Sequence, residues 1–433
     1  MAQFGFLYDK ISGARDTSRR HFLALTDPDQ EVAVGTFNLN TTTGLQAITG
    51  VGFLPSLVGI IGVVLPSSIP NQYGAAFHLG FAAGSDQWAG SCTGEYNNFT
   101  WNADRHSYWR DDRVIAYVGG SYRYYPQESF RASLNSFDAD GFTLNIDQAP
   151  SSTIRCIYLA ARNGGGYKVG TTQAPTVTGN QAITGVGFRP KAVLIANGPG
   201  GLLLQDHQWI GVGAGDASEQ YSIWSGARKG APFLSARNDT GKIVTFAHSS
   251  TSSFGVGRGI DAQASLLSME NDGFLLNWSS ADSQTRYFHW LAIGEADIGR
   301  FLFDPTANDK EVATEAQPVG LLGYGNDQIE EGWDPNNSGA GIGVSFCNSD
   351  GSIEYTAAFH EGYPQTLSIT KNRRDLHVGG SFGAFKYPGA GTSNGMRNLC
   401  DVVSLFGISP IVSMNWRYAQ RHGVASRALL GEQ

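Results

Sequence analysis

A chain of 433 residues with a formal net charge of −8 at pH 7 and a pI near 5.6 carries no basic footprint for nucleic acid. Glycine is abundant (56 residues), charged residues make up only 16%, and aromatics reach 12%, which suits β-sandwiches with long turns and excludes a helical bundle or a disordered chain. The length leaves room for roughly two to four domains, each with its own core.

The N-terminal stretch Gly5-Phe6-Leu7 to Leu23-Ala24 is the first copy of a segment written three times. The others run from Gly141-Phe142 to Leu159-Ala160 and from Gly273-Phe274 to Leu291-Ala292. In every copy the Gly-Phe pair stands 18 residues before the Leu-Ala pair. Two copies begin Asp-Gly-Phe, at Asp140 and Asp272, a turn dipeptide leading into an apolar run. Each copy is read as a β-hairpin, and their identical internal spacing speaks against chance similarity.

A second element follows each polar connection. Gln46 to Pro55 returns as Gln181 to Pro190 with one change, Leu54 to Arg189, and Gln317 to Leu322 is a degenerate third copy. An apolar strand follows in each case. The first belongs to the most apolar run of the chain, Val51 to Leu65, which is too short and too interrupted to span a membrane. Gly-rich strands come next, at Leu79–Gly84, Ile210–Gly215 and Ile342–Phe346, and then an aromatic-bearing strand. No long amphipathic helix is predicted, although the tail Tyr418 to Leu430 is helix-compatible. The N-terminus lacks a basic n-region, so no signal peptide is expected and the protein reads as soluble.

The expected fold class is therefore all-β, three tandem jelly-roll, concanavalin-like sandwiches, with repeats at 26–160, 161–294 and 295–433. The phase of the repeats leaves two arrangements open. The hairpin at 5–25 could complete the third repeat and close a pseudo-threefold ring, or each hairpin could open its own unit in an open row.

Gly-Phe-x-Pro-x-x-Val, Asp-Gly-Phe-x-Leu and the closing Leu-Ala strand resemble a module of tailed-bacteriophage virion surface proteins of the tail fibre, spike and decoration type. The resemblance covers 46–160 and 181–292 well and the third repeat weakly. It implies a lectin-like sandwich at the surface of a virion assembled in the host cytoplasm. The implied partners are other virion proteins in a symmetric assembly and a host surface glycan, with no nucleic acid and no membrane insertion. Unlike a fibre, the sequence shows no coiled-coil or triple-β shaft.

No nucleophile elbow, metalloprotease or phosphate-loop motif is present, and the adjacent pairs Asp111-Asp112 and Glu330-Glu331 would point to opposite faces of a strand. No enzymatic activity is expected. Cys92, Cys156, Cys347 and Cys400 show no metal-like spacing and read as free and buried. His21 and His289 occupy matching positions and read as structural. Lectin-like modules often hold calcium near such loops as Asp138-Ala139-Asp140 and Asn271-Asp272, but the acidic spacing is sparse, so these read as turn caps and no cofactor is expected. The best binding candidate is Trp101, Arg105, Tyr108, Trp109 and Asp111, a set offering aromatic faces and polar groups to a sugar. The plainer reading makes Trp101 and Tyr108 inward-facing sandwich residues.

Overall fold

The computed structural model describes residues 4–10, 18–27, 29–64, 75–95, 104–120, 126–162, 165–199, 203–205, 207–228, 234–249, 258–303, 310–314, 316, 318–326, 332–333, 339–348, 354–362, 371–378 and 400–406. Among these the chain is all-β and contains no helix, and every strand pairing is antiparallel. The helix-compatible tail at 418–430 lies outside the described residues.

Strands β1 (Phe4–Lys10) and β2 (Ser18–Leu25) come first. They are followed by β3 (Glu31–Leu39), β4 (Gly44–Thr49), β5 (Leu57–Val64), β6 (Ala75–Ala83), β7 (Asp86–Glu95), β8 (Asp104–Arg110), β9 (Ile115–Gly120), β10 (Pro126–Asp138), β11 (Gly141–Gln148) and β12 (Ile154–Arg162). The next run is β13 (Tyr167–Gln173), β14 (Gly179–Thr184), β15 (Ala192–Asn197), β16 (Leu203–Gln205), β17 (His207–Gly215), β18 (Gln220–Arg228), β19 (Leu234–Thr240), β20 (Val244–Ser249), β21 (Arg258–Glu270), β22 (Gly273–Ser280) and β23 (Tyr287–Ile293). The last is β24 (Ala296–Phe303), β25 (Lys310–Thr314), β26 (Gly320–Asn326), β27 (Gly332–Trp333), β28 (Gly339–Cys347), β29 (Glu354–Gly362), β30 (Lys371–Val378) and β31 (Cys400–Phe406).

These strands form six sheets, three large and three small, and cross-layer cores join the first two large sheets to a small companion each. The large sheets run β16-β8-β7-β6-β5-β12-β3, then β13-β23-β15-β17-β18-β19-β27, then β24-β2-β26-β28-β29-β30. Their small companions are β4-β11-β10-β9, β14-β22-β21-β20 and β25-β1-β31. The same strand order recurs each time, with two guests. β16 leaves the second group to pair with β8 of the first, and β27 leaves the third to pair with β19 of the second.

The repeated segment is not a hairpin, and here the sequence expectation is corrected. β11 pairs with β10 and β4 in the small sheet, whereas β12 pairs with β3 and β5 in the large one. The segment is an arch that crosses from one layer of the sandwich to the other. Its two strands meet by side chains rather than by a hydrogen-bond ladder: Phe142 packs edge-on to Tyr158 at 5.6 Å, and Phe274 packs likewise on Trp290 at 5.7 Å. Each such aromatic pair contributes about 0.5–1.5 kcal/mol beyond its burial. The true hairpins are β10–β11 and β21–β22, and the Asp-Gly dipeptide belongs to their turns.

The arch of residues 4–25 is built into the C-terminal sheets. β1 lies between β25 and β31, and β2 lies between β24 and β26. This is the closed arrangement of the two that the repeat phase left open.

The Leu-Ala strand is apolar on both faces because both are packed. In β12, Ile157, Leu159 and Ala161 point into one core, while Cys156, Tyr158 and Ala160 point into another. In β23, Leu291 and Ile293 are set against Phe288, Trp290 and Ala292 in the same alternation. One face packs on the small sheet of its own sandwich. The other joins a central cluster fed by all three large sheets, including Leu23, Phe77, Leu194, Val212, Leu322 and Phe346. A strand covered on both faces needs a continuous apolar run instead of alternation with polar residues.

Candidate functional site

The expected sugar-binding stretch lies on and after β8. Trp101 is outside the described residues, and Arg105 is placed only by its backbone pairing with Gly94. Tyr108 is fully buried against Ala89 and Ala116 between the two layers of the first sandwich. Trp109, next along the strand, points the opposite way into the central core and is 1% exposed. Asp111 is exposed in the turn beyond. The structure thus gives neither Tyr108 nor Trp109 a ring face open to a pyranose, which corrects the expectation for these two residues. The cause is the second packed face of the large sheet, which removes the solvent side that a half-exposed strand would have.

The charged neighbours are engaged with one another. Arg110 donates to Asp112 through Nε at 2.7 Å and through Nη2 at 2.5 Å, and its Nη1 reaches the Tyr108 hydroxyl at 3.4 Å. Arg113 lies 3.1 Å from Asp112 and 2.6 Å from Asp147, the latter a close ion pair not aligned as a hydrogen bond. The Arg110 hydrogen bonds hold the Asp112 carboxyl below its usual range. Such a network fixes the turn after β8 and leaves Asp111 as its outward carboxylate.

What the structure assembles around Trp109 is a seam between sandwiches. The Trp109 indole stacks on the His289 ring at 5.0 Å and 9°, and Trp88 sits against the other side of that region at 5.5 Å from His289. Thr171 hydrogen-bonds His289 Nδ1 at 2.7 Å, and Trp88 Nε1 donates to the Trp290 carbonyl at 3.0 Å. Gly90 and Gly198 make room for the indole, since a Cβ on either would overlap it. Burial pushes the His289 imidazole down to about 3, so the ring is neutral near pH 7. Ser107 completes the join by accepting from Trp209 N at 2.8 Å and donating to Trp209 O at 3.2 Å.

A second seam repeats the device. His21 on β2 stacks on Tyr221 of the second sandwich at 4.9 Å and on Tyr324 of the third at 5.3 Å. Tyr324 also donates to the Tyr221 carbonyl at 3.2 Å. The third seam is apolar: Phe81 meets Phe346 at 6.5 Å, and Ile157 stands where His21 and His289 stand in their strands. The matched histidines were visible in the sequence two residues before each Leu-Ala leucine. Their tryptophan and tyrosine partners were not, because nothing local marks which aromatic meets which histidine across separate sandwiches.

The loop that follows β4 and β14 is held by the Asp of the Asp-Gly turn. Asp140 accepts from Gly50 N at 3.0 Å and Gly52 N at 2.6 Å, and Asp272 does the same with Gly185 N and Gly187 N at 3.0 and 2.6 Å. These amide bonds lower the Asp272 carboxyl below its usual range. Asp138 accepts from Ser136 at 2.8 Å and from Thr143 at 2.6 Å. Asp140 and Asp272 thus cap loop amides, while Asp138 is held by side-chain hydroxyls. Among the described residues no three His, Cys, Asp or Glu side chains converge as a metal site would require, and no helix is long and apolar enough to cross a membrane. Cys92, Cys156 and Cys347 are buried, while Cys400 is described only by its backbone. Compared with known proteins, the chain matches no protein-family model, no curated protein and no solved structure.

Proposed function

We propose that this chain is a structural protein of a tailed-bacteriophage virion, carried on the particle surface in the tail tip, fibre apparatus or head decoration. It acts by rigid display and by packing against other virion proteins in a symmetric assembly. The observation that best supports this reading is the single central core shared by three sandwiches and closed by the arch of residues 4–25. The motif resemblance in 46–160 and 181–292 supplies the class of particle.

The buried aromatics and histidines join sandwiches, and the turn carboxylates hold loops. That is the chemistry of a scaffold. A host-glycan adhesin is the runner-up from the sequence, and the burial of Tyr108 and Trp109 favours the scaffold reading over it. The test is to locate the chain in purified intact particles by cryo-electron microscopy or by antibody-gold labelling. Stoichiometric copies at a defined surface position are expected, and absence from particles overturns the proposal. Release of saccharide from host envelopes by the pure protein would overturn the non-enzymatic part.

A further inference from the structure

Both strands of the N-terminal arch are inner strands. All of Ser18–Leu25 pairs with β24, His21–Leu25 pairs again with β26, and β1 is flanked by β25 and β31. Without the arch the six-stranded sheet would split between β24 and β26, and the small sheet would lose the strand joining β25 to β31. Phe22, Leu23, Ala24 and Leu25 are all buried, and the Phe22 ring fills the space above Gly299 where a Cβ would collide.

The arch is joined to the first sandwich by residues 26–30 alone, whereas its acceptor strands begin at Ala296. In the other two sandwiches the equivalent strands follow their neighbours directly: a two-residue turn links β10 to β11, and another links β21 to β22. Between β31 and β1 there is no such turn, although Gly5 pairs with Phe406. The third acceptor is thus filled by a segment with no short covalent tie to it. Until residues 296–406 exist, the arch has no site.

We propose that the third sandwich is an acceptor site for an arch of this type, and that the arch of a second copy of this chain can fill it. Copies would then be linked head to tail by strand complementation, with main-chain ladders giving affinity and the Phe22 and Leu23 positions giving specificity. Within one chain residues 26–30 tie the arch to the first sandwich and not to its acceptor, so exchange between copies competes when the protein concentration during folding approaches the effective concentration of the chain's own arch at that acceptor.

The test uses full-length chains with one substitution each, Arg20→Cys in one and Phe301→Cys in the other, at positions that face each other in the β2–β24 ladder. Co-refolding the two at high protein concentration is expected to give a disulfide-linked heterodimer, and folding them separately before mixing is expected to give none. The double variant in one chain is the control and is expected to cross-link as a monomer. No heterodimer, with that control cross-linked, overturns the proposal. Should the variants fail to fold, light scattering of the unmodified chain refolded over a range of concentrations decides. Dimers with native near-UV circular dichroism at the high end support exchange, and monomer throughout overturns it.

Discussion

Replacing Trp109 with alanine separates a seam residue from a sugar platform, because the two roles predict opposite phenotypes. The indole is 1% exposed, stacks on His289 at 5.0 Å, and fills space left by Gly90 and Gly198. Truncating so buried a tryptophan costs about 3–5 kcal/mol. Unfolding entropy scales with the cooperative unit, at about 2.1 cal/mol/K per residue. If all 433 residues unfold together, a loss of about 4 kcal/mol lowers Tm by about 4 °C. If a sandwich of about 135 residues melts alone, the same loss lowers its Tm by about 14 °C. Differential scanning calorimetry of the wild type and Trp109→Ala reads both the size of the shift and the number of transitions. A Tm unchanged to within about 1 °C would refute the reasoning and return Trp109 to the surface.

Other outcomes follow from single groups. Burial holds His289 at about 3 and His78 at about 4, against 6.5 when unfolded. Below pH 6.5 the unfolded chain takes up protons that these rings refuse, so stability falls as pH drops from 6.5 towards 3. Urea titrations across that window should show the slope shrink in His289→Gln. Asp272 behaves as a depressed carboxylate, so its contribution is present above the unfolded pKa and is lost as pH falls through the folded one. Asp272→Asn should therefore be less stable at neutral pH and converge on the wild type in acid, read by thermal melts. Gly141 sits at φ +146°, and a Cβ there would overlap the Ile48 carbonyl, so Gly141→Ala should cost about 1–3 kcal/mol in the same melts. Cys156 is buried with its thiol pushed up to about 12, and it should resist alkylation at pH 8 until denaturant is added, as peptide mapping would show.

The repeats were legible because backbone requirements wrote them. Gly141 and Gly273 share φ near +146° and +149°, and the Asp before each glycine is needed to bind the loop amides of the same sandwich. The all-β class was legible for the same reason. What misled was pairing. A Gly-Phe strand and a Leu-Ala strand 18 residues apart look alike whether they ladder together or face each other across two layers. The site misled for a related cause. Asp104-Arg105-His106-Ser107-Tyr108-Trp109-Arg110 reads as a half-solvated strand, yet His106, Ser107, Tyr108 and Trp109 are all buried. The three-residue strand β16 that covers the edge of β8 comes from residues 203–205, too short and too distant to be seen from the first sandwich.

The degenerate third repeat follows from the same geometry. Register equates Phe4 with Asp140 and Asp272, because each precedes the Gly-Phe pair. In the first two sandwiches that position turns a hairpin and its carboxylate holds the loop after β4 or β14. In the third no turn joins β31 to β1, so the position has no hairpin to close, and it faces Thr314 as an ordinary strand residue. The loop it would have clamped, running through Pro318 and Val319, has correspondingly lost its Gly-x-Gly, and keeps the bond common to all three repeats, Val319 N donating to the Leu25 carbonyl at 2.7 Å as Ser56 N and Lys191 N donate to Ala161 and Ile293. The loss of motif in the third repeat is thus what closing three sandwiches with an N-terminal arch demands. Restoring the pair, by Phe4→Asp with Thr314→Gly and Ala316→Gly, should bring no gain in stability, because the amides would face a β1 that is already fixed by two ladders. Thermal melts of that triple variant showing a rise of several degrees would contradict the argument.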